Sequence, residues 1–182
     1  MAETTNKLYL PVIAIIIWLA TMVFGFWWFE YRYWQTFMGS NITFDGVVLE
    51  SLYDKIKADD NDESKVAVIH FTDSSCPCSR YSREHISNLQ PVLVSSQQYE
   101  VSPQDKLVIG ISIPATPSVA VWDEQGKLAY FGPYSSGAVC GRGTDFVTRV
   151  ISELKQKNNP EWINMVGVGC YCPWQALEEY NV

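Results

Sequence analysis

Positive charge is scarce in this chain. Its 182 residues carry 13 Lys and Arg against 20 Asp and Glu, a formal net charge of -7. The pI is about 4.8. No Lys/Arg cluster offers a grip on phosphates, which excludes nucleic acid as a partner. Histidine is scarcer still: only His70 and His85 occur. Tandem repeats and low-complexity tracts are absent, so repeat architectures fall away. The acidic run Asp59-Asp60-Asn61-Asp62-Glu63 lacks the glycine and distal glutamate of an EF-hand, and reads as a solvated loop. No serine triad, phosphate loop or carboxylate pair stands out. The length suits one ordinary domain plus an extra segment. With 47% hydrophobic and 18% charged residues, the chain is no disordered tract.

What is present begins with an apolar run. From Leu8 to Phe29 no residue is charged, and a helix needs about 20 residues to cross a hydrocarbon core. Pro11 falls in the first turn of this expected helix, where its missing N–H costs little. Trp27, Trp28, Tyr31, Tyr33 and Trp34 follow as an interfacial belt. Length, the lack of any polar face and the flanking belt together argue against a buried core helix, and a cleaved signal would be shorter and end in a small-x-small site. The run is therefore read as an uncleaved anchor over 8–29, behind a tail at 1–7. Lys7 and Arg32 flank it too evenly for positive charge to fix its orientation. The five cysteines decide instead. They fit an oxidising compartment, so residues 30–182 are expected to face the periplasm from a bacterial inner membrane.

Residues 30–44 read as an interfacial linker. The Asn41-Ile42-Thr43 sequon there is a pattern common by chance. Asp45 to Lys57 carries a helical apolar stripe, with Asp45 as N-cap. Val66 to Phe71 is a short apolar run suited to a strand covered on both faces. Thr72-Asp73-Ser74-Ser75-Cys76-Pro77-Cys78 leads into a helix from Ser79 to about Gln90, ended by Pro91. Lys106–Ser112 and Ser118–Trp122 read as strands. Asp123-Glu124-Gln125-Gly126 is a turn and Lys127–Phe131 its hairpin return. Thr144 or Asp145 caps a last helix running to about Lys157. The order implies an α/β fold, a mixed sheet with helices on both faces.

Three features together resemble the thioredoxin superfamily over 45–157. They are the strand-loop-cysteine segment HFTDSSCPC, Thr116-Pro117 before SVAVW, and the hairpin WDEQGKLAYFG followed by Ser136-Gly137-Ala138 and a final helix. The chain is also similar to an uncharacterised family of bacterial membrane-anchored, thioredoxin-like proteins. The resemblance implies a thioredoxin-like sheet, a cis proline at Pro117, and a glycine loop beside the site. The family separates its cysteines by two residues, whereas one residue separates them here. Aligned on His70-Phe71, Cys76 takes the nucleophile position and Ser79 the resolving one. Aligned on the proline, Ser75 and Cys78 take them. The first alignment keeps the strand-to-cysteine spacing.

A thiolate is the reactive form of cysteine, and a helix N-terminus favours it. Cys76 and Cys78 are therefore expected at such a start. They are open to pairing with each other, with Cys140 in the glycine loop, or with Cys170 and Cys172. The last two lie in an extension, 158–182, that ends in a second C-x-C followed by proline. A disulfide holding the extension to the domain is one expectation, and direct approach to Cys76 and Cys78 is the other. His70 is either a satisfied core histidine or a proton acceptor for the site. His85 is expected to face outward, and Arg142 to be a solvated loop residue. The function expected is thiol–disulfide exchange on protein disulfides, with Cys76, Cys78, Cys140, Thr116, Pro117 and His70 as site residues and no cofactor. The alternatives are Zn or Cu held by Cys76, Cys78, Cys170 and Cys172, and a non-catalytic interaction module. Copper delivery is disfavoured: membrane-anchored, thioredoxin-like copper chaperones use a distal histidine, and none follows His85.

Overall fold

A computed structural model describes residues 3–31, 34–38, 46–57, 65–136 and 145–174. The chain divides into two compact units, Met1–Trp34 and Gln35–Val182. The first unit is helix α1, Glu3–Tyr31. Within it, Tyr9–Phe29 has a mean hydropathy of 2.3 and none of its window is buried, so by length and composition it can cross a membrane. The helix starts earlier than the apolar run predicts. Pro11 thus lies inside it rather than in its first turn, and the helix loses the hydrogen bond that a Pro11 N–H would have made.

The second unit is a mixed α/β domain. Its elements are β1 (Trp34–Thr36, which straddles the division), α2 (Val47–Lys57), β2 (Ala67–Phe71), α3 (Ser79–Leu89), β3 (Gln97–Val101), a 3₁₀ turn (Lys106–Val108), β4 (Ala115–Thr116), β5 (Ser118–Trp122), β6 (Leu128–Gly132), α4 (Phe146–Lys155), β7 (Trp162–Ile163), β8 (Val168–Cys170) and β9 (Cys172–Pro173). Five strands form the main sheet in the order β3-β2-β5-β6-β7. Central β2 runs parallel to β3 and antiparallel to β5. The β5–β6 hairpin is antiparallel, with Val121 opposite Tyr130. All five residues of β2 and of β5 are buried, as expected for apolar runs in the middle of a covered sheet.

Each face of the sheet has its own core. Ala67, Ile69 and Phe71 of β2 pack with Leu49, Leu52 and Ile56 of α2. Val68, one residue out of phase, packs with Leu89 of α3 and Val147, Val150 and Ile151 of α4. Period-two alternation thus sends one strand into two cores. Asp145 caps α4 as expected, accepting from the N–H groups of Val147 and Thr148. Gly126 closes the hairpin turn at φ +80, and a Cβ there would stand 2.9 Å from the Tyr53 ring. Glycine meets both conditions, positive φ and close approach.

One expected strand is absent. Lys106–Val108 is a 3₁₀ turn, and the parallel neighbour of β2 is Gln97–Val101. That strand is polar and mostly half-buried because it lies at the sheet edge, so its sequence lacks the apolar signature. With the edge of β2 taken, Val108, Ile111 and Ile113 bury their side chains in the α2-face core without a ladder. Residues read as linker and extension also join the domain. Phe37 is fully buried, and its N–H donates to the Gly167 carbonyl at 2.7 Å. Strand β7 pairs parallel to β6. The Asp45 cap, the sequon, the acidic run, Ser136-Gly137-Ala138 beyond its serine, Cys140, Arg142 and Thr144 lie outside the described residues.

Candidate functional site

The site is built where β2 ends and α3 begins. Asp73 organises the connection. Its carboxylate accepts from the Ser75 N–H at 2.8 Å and the Ser75 hydroxyl at 2.7 Å. Its carbonyl accepts from the Ser79 hydroxyl at 2.6 Å and the Cys76 N–H at 3.1 Å. Ser79, expected at the resolving position when the chain is aligned on His70-Phe71, therefore closes the loop. Cys76 sits in the resulting turn, and Cys78 is the N-cap residue of α3. Both are buried, Cys76 at 5% and Cys78 at 0% exposure.

Neither cysteine pairs with the other. Cys76 is bonded to Cys172, with Cα atoms 6.0 Å apart. Cys78 is bonded to Cys170, with Cα atoms 5.5 Å apart. Both separations lie in the ordinary range for disulfides. The two C-x-C segments thus lie against each other in opposite directions. A two-residue antiparallel ladder sets this register: Ala115 faces Pro173 and Thr116 faces Cys172. The Thr116-Pro117 bond is cis. The ladder and the two disulfides bring the threonyl-proline, the helix cysteines and the tail cysteines to one place. The buried Thr116 hydroxyl finds no hydrogen-bond partner among the described residues.

Aromatic side chains fix the tail. The Trp174 indole N–H donates to the Ile111 carbonyl at 3.0 Å, and its ring meets Phe71 edge-on at 5.8 Å. The Tyr171 ring meets Phe37 edge-on at 5.4 Å. Together with the disulfides they hold the four sulfurs in a small volume. The Cys78 and Cys172 sulfurs, which are not bonded to each other, are 4.0 Å apart. The sulfurs of Cys76, Cys78 and Cys172 all lie within 4.8 Å of one another, and Cys170 stands outside that trio.

His70 looks to the other face of the sheet. Its Nδ1 is 2.8 Å from the Tyr134 hydroxyl and its Nε2 is 3.4 Å from the Gln98 side-chain oxygen. Burial holds its pKa below the usual histidine value, against the opposing pull of Gln98 and the Glu100 charge. His85 is buried at 6% exposure, contrary to the outward orientation expected. Its ring meets Tyr134 edge-on at 5.6 Å, and its Nε2 is 3.8 Å from the Asp145 carboxylate. Apolar cover from the α4-side core and a facing acid make the inward orientation favourable. Burial pushes the Asp145 carboxyl up, but the facing His85 and the hydroxyl and N–H of Thr148 outweigh it and leave it below the usual range. Tyr134, Gln98 and Asp145 carried no sequence signal as partners of the histidines, because they come from three separate elements.

The arrangement brings two disulfides together, with the non-bonded Cys78 and Cys172 sulfurs 4.0 Å apart, which is compatible with a disulfide-related role. No curated protein matches the chain. It is similar to the crystal structure of a hypothetical protein from Sinorhizobium meliloti 1021, at 17% identity and a TM-score of 0.41, covering 64% of this chain and 82% of that one. A family model matches residues 47–174, a span that starts beyond the apolar helix and takes in all four paired cysteines. By that match the chain belongs to the family described as "Domain of unknown function (DUF6436)".

Proposed function

We propose that this is a membrane-anchored, extracytoplasmic protein that exchanges disulfides with protein partners through the cysteines at the β2–α3 junction. One observation carries the reading: Cys76 and Cys78 are linked across the fold to a second C-x-C in the tail, with a third non-bonded sulfur approach of 4.0 Å. Thiol–disulfide exchange needs a thiolate within reach of a disulfide sulfur. The thioredoxin-like part of the reading is supported by the strand order β3-β2-β5-β6 and by Thr116-Pro117 beside the cysteines. The extracytoplasmic part is supported by the two disulfides, which persist in oxidising compartments.

The test uses the full chain in its membrane. Cys172→Ser frees Cys76 from its internal partner and is expected to accumulate mixed disulfides with other proteins. The purified protein is expected to reduce or oxidise a model protein disulfide. Failure of both sinks the reading. A C-terminal alkaline phosphatase fusion is expected to be active, and an inactive fusion would contradict the orientation.

A second reading rests on the same sulfurs. Reduced Cys76, Cys78 and Cys172 converge closely enough to bind a thiophilic ion such as Zn²⁺ or Cu⁺. Stoichiometric metal in reduced protein, lost in Cys172→Ser, would favour it over exchange.

A further inference from the structure

The two C-x-C segments differ in access. Cys76 and Cys78 are buried, whereas Cys170 and Cys172 are half-buried. The tail cysteines are therefore the more accessible residues to an incoming thiolate. Of these, Cys172 is flanked by both helix sulfurs and held by the ladder to Thr116. Cys170 is the outlying sulfur. The non-bonded sulfurs of Cys78 and Cys172 stand 4.0 Å apart.

Building on the exchange activity argued above, we propose that the four cysteines form an internal relay. Cys170 is the entry point, and the disulfide migrates to Cys78–Cys172, releasing Cys76 as the free thiol. The reductant is a protein dithiol. Its first thiol gives its proton to solvent and attacks the Cys170 sulfur. A partner–Cys170 bond forms, the Cys78–Cys170 bond breaks, and Cys78 leaves as thiolate. The Cys78 thiolate then attacks Cys172. A Cys78–Cys172 bond forms, the Cys76–Cys172 bond breaks, and Cys76 leaves as thiolate and takes a proton. The partner's second thiol, deprotonated in turn, attacks its own sulfur in the mixed disulfide and expels Cys170, which is protonated. Two electrons have entered. The partner dithiol has become a disulfide, and the protein keeps one disulfide and gains two thiols.

The relay assigns distinct roles to cysteines that look equivalent in sequence. Cys170 faces the donor, Cys78 and Cys172 carry the bond inward, and Cys76 emerges reduced. Exchange needs the attacking sulfur in line with the bond it breaks, and in the oxidised protein Cys78 lies to the side of Cys76–Cys172. The freed Cys78 side chain therefore turns before it attacks, while Tyr171 and Trp174 keep the tail packed in the core.

Limited reduction of the full-length protein in detergent tests the relay. Dithiothreitol is added for graded times, free thiols are alkylated in acid-quenched samples, and disulfides are mapped. The one-disulfide species is expected to carry Cys78–Cys172, with label on Cys76 and Cys170 at least tenfold above that on Cys78 and Cys172. A one-disulfide species that retains Cys76–Cys172 or Cys78–Cys170, or that forms Cys76–Cys78, overturns the relay. Cys170→Ser gives a second test without reductant. Its Cys78 thiol faces Cys172, so at least half the protein is expected to expose Cys76 to label. Label confined to Cys78 between these two would overturn the proposal. Exchange with protein partners is scored separately. Protein that rearranges but exchanges with no partner refutes the exchange activity, while protein that exchanges yet keeps its original links refutes the relay alone.

Discussion

The two faces of the central sheet carry different kinds of chemistry. On the α2 face, β2 contributes Ala67, Ile69 and Phe71 to a core completed by the tail residues Tyr171 and Trp174. On the α3–α4 face, the same strand contributes Val68 and His70, and a polar path runs from Gln98 through His70 and Tyr134 to His85 and Asp145. The first face fixes sulfur positions through apolar packing, which is insensitive to pH. The second holds His70 and Asp145, whose folded-state pKa values are both depressed and so couple protonation to folding. The tail therefore belongs to the stability of the domain, and acid sensitivity should arise on the opposite side from the disulfides.

Reduction should have the largest effect on this contrast. The disulfides span 96 and 92 residues in sequence, and closing a loop near that length contributes about 4.7 kcal/mol in the chain-entropy account. Because the loops are nested, the second adds less than the first. Urea titration in detergent should show a loss of about 5 kcal/mol on full reduction, equal at pH 7 and pH 5.5. A loss under about 1 kcal/mol would mean the tail is held by packing alone.

Trp174→Ala comes next. It removes the ring against Phe71 and the bond to the Ile111 carbonyl, a change of about 3 kcal/mol for a large buried aromatic. The same titration reads it, and a neutral result would remove the tail from the apolar core. On the other face, Tyr134→Phe leaves His70 Nδ1 without its 2.8 Å partner, at a cost of about 1–2 kcal/mol for a buried polar group. Asp145→Ala removes the α4 cap and should cost about 1 kcal/mol.

The smallest effect sharpens the contrast most. The folded-state pKa of His70 is depressed, so the unfolded chain binds more protons below the ordinary histidine value of about 6.5. Its contribution is fully present above that value and is lost as pH falls towards the folded pKa. Asp145, also depressed, adds stability above the ordinary carboxylate range that is lost as pH falls through its folded pKa. Stability should therefore decline from pH 7 to pH 5.5, and His70→Gln should flatten that segment of the profile. An unchanged slope would move the acid sensitivity elsewhere.

Much of the fold was legible because its central elements advertise themselves. The runs at β2 and β5, the turn at Asp123–Gly126 and the Asp145 cap each have a local physical cause. Strand β3 was hidden because an edge strand needs few apolar residues, and the run at 106–112 imitated a strand while it gives Val108 and Ile111 to the core and the Ile111 carbonyl to Trp174. At the site, the junction holding Cys76 and Cys78 could be read from the sequence, as could the approach of the tail cysteines as one of several arrangements. Their pairing could not, since four cysteines allow three connectivities and the register depends on the ladder between Thr116 and Cys172. The burial of His85 was equally hidden, because it depends on Tyr134 and Asp145 arriving from later in the chain.

Disulfide mapping of the fully oxidised protein by non-reducing proteolysis tests the account most directly. It should yield peptides linking Cys76 to Cys172 and Cys78 to Cys170. Peptides linking Cys76 to Cys78 and Cys170 to Cys172 would contradict it, because the tail would then carry its own disulfide and the site would stand without it.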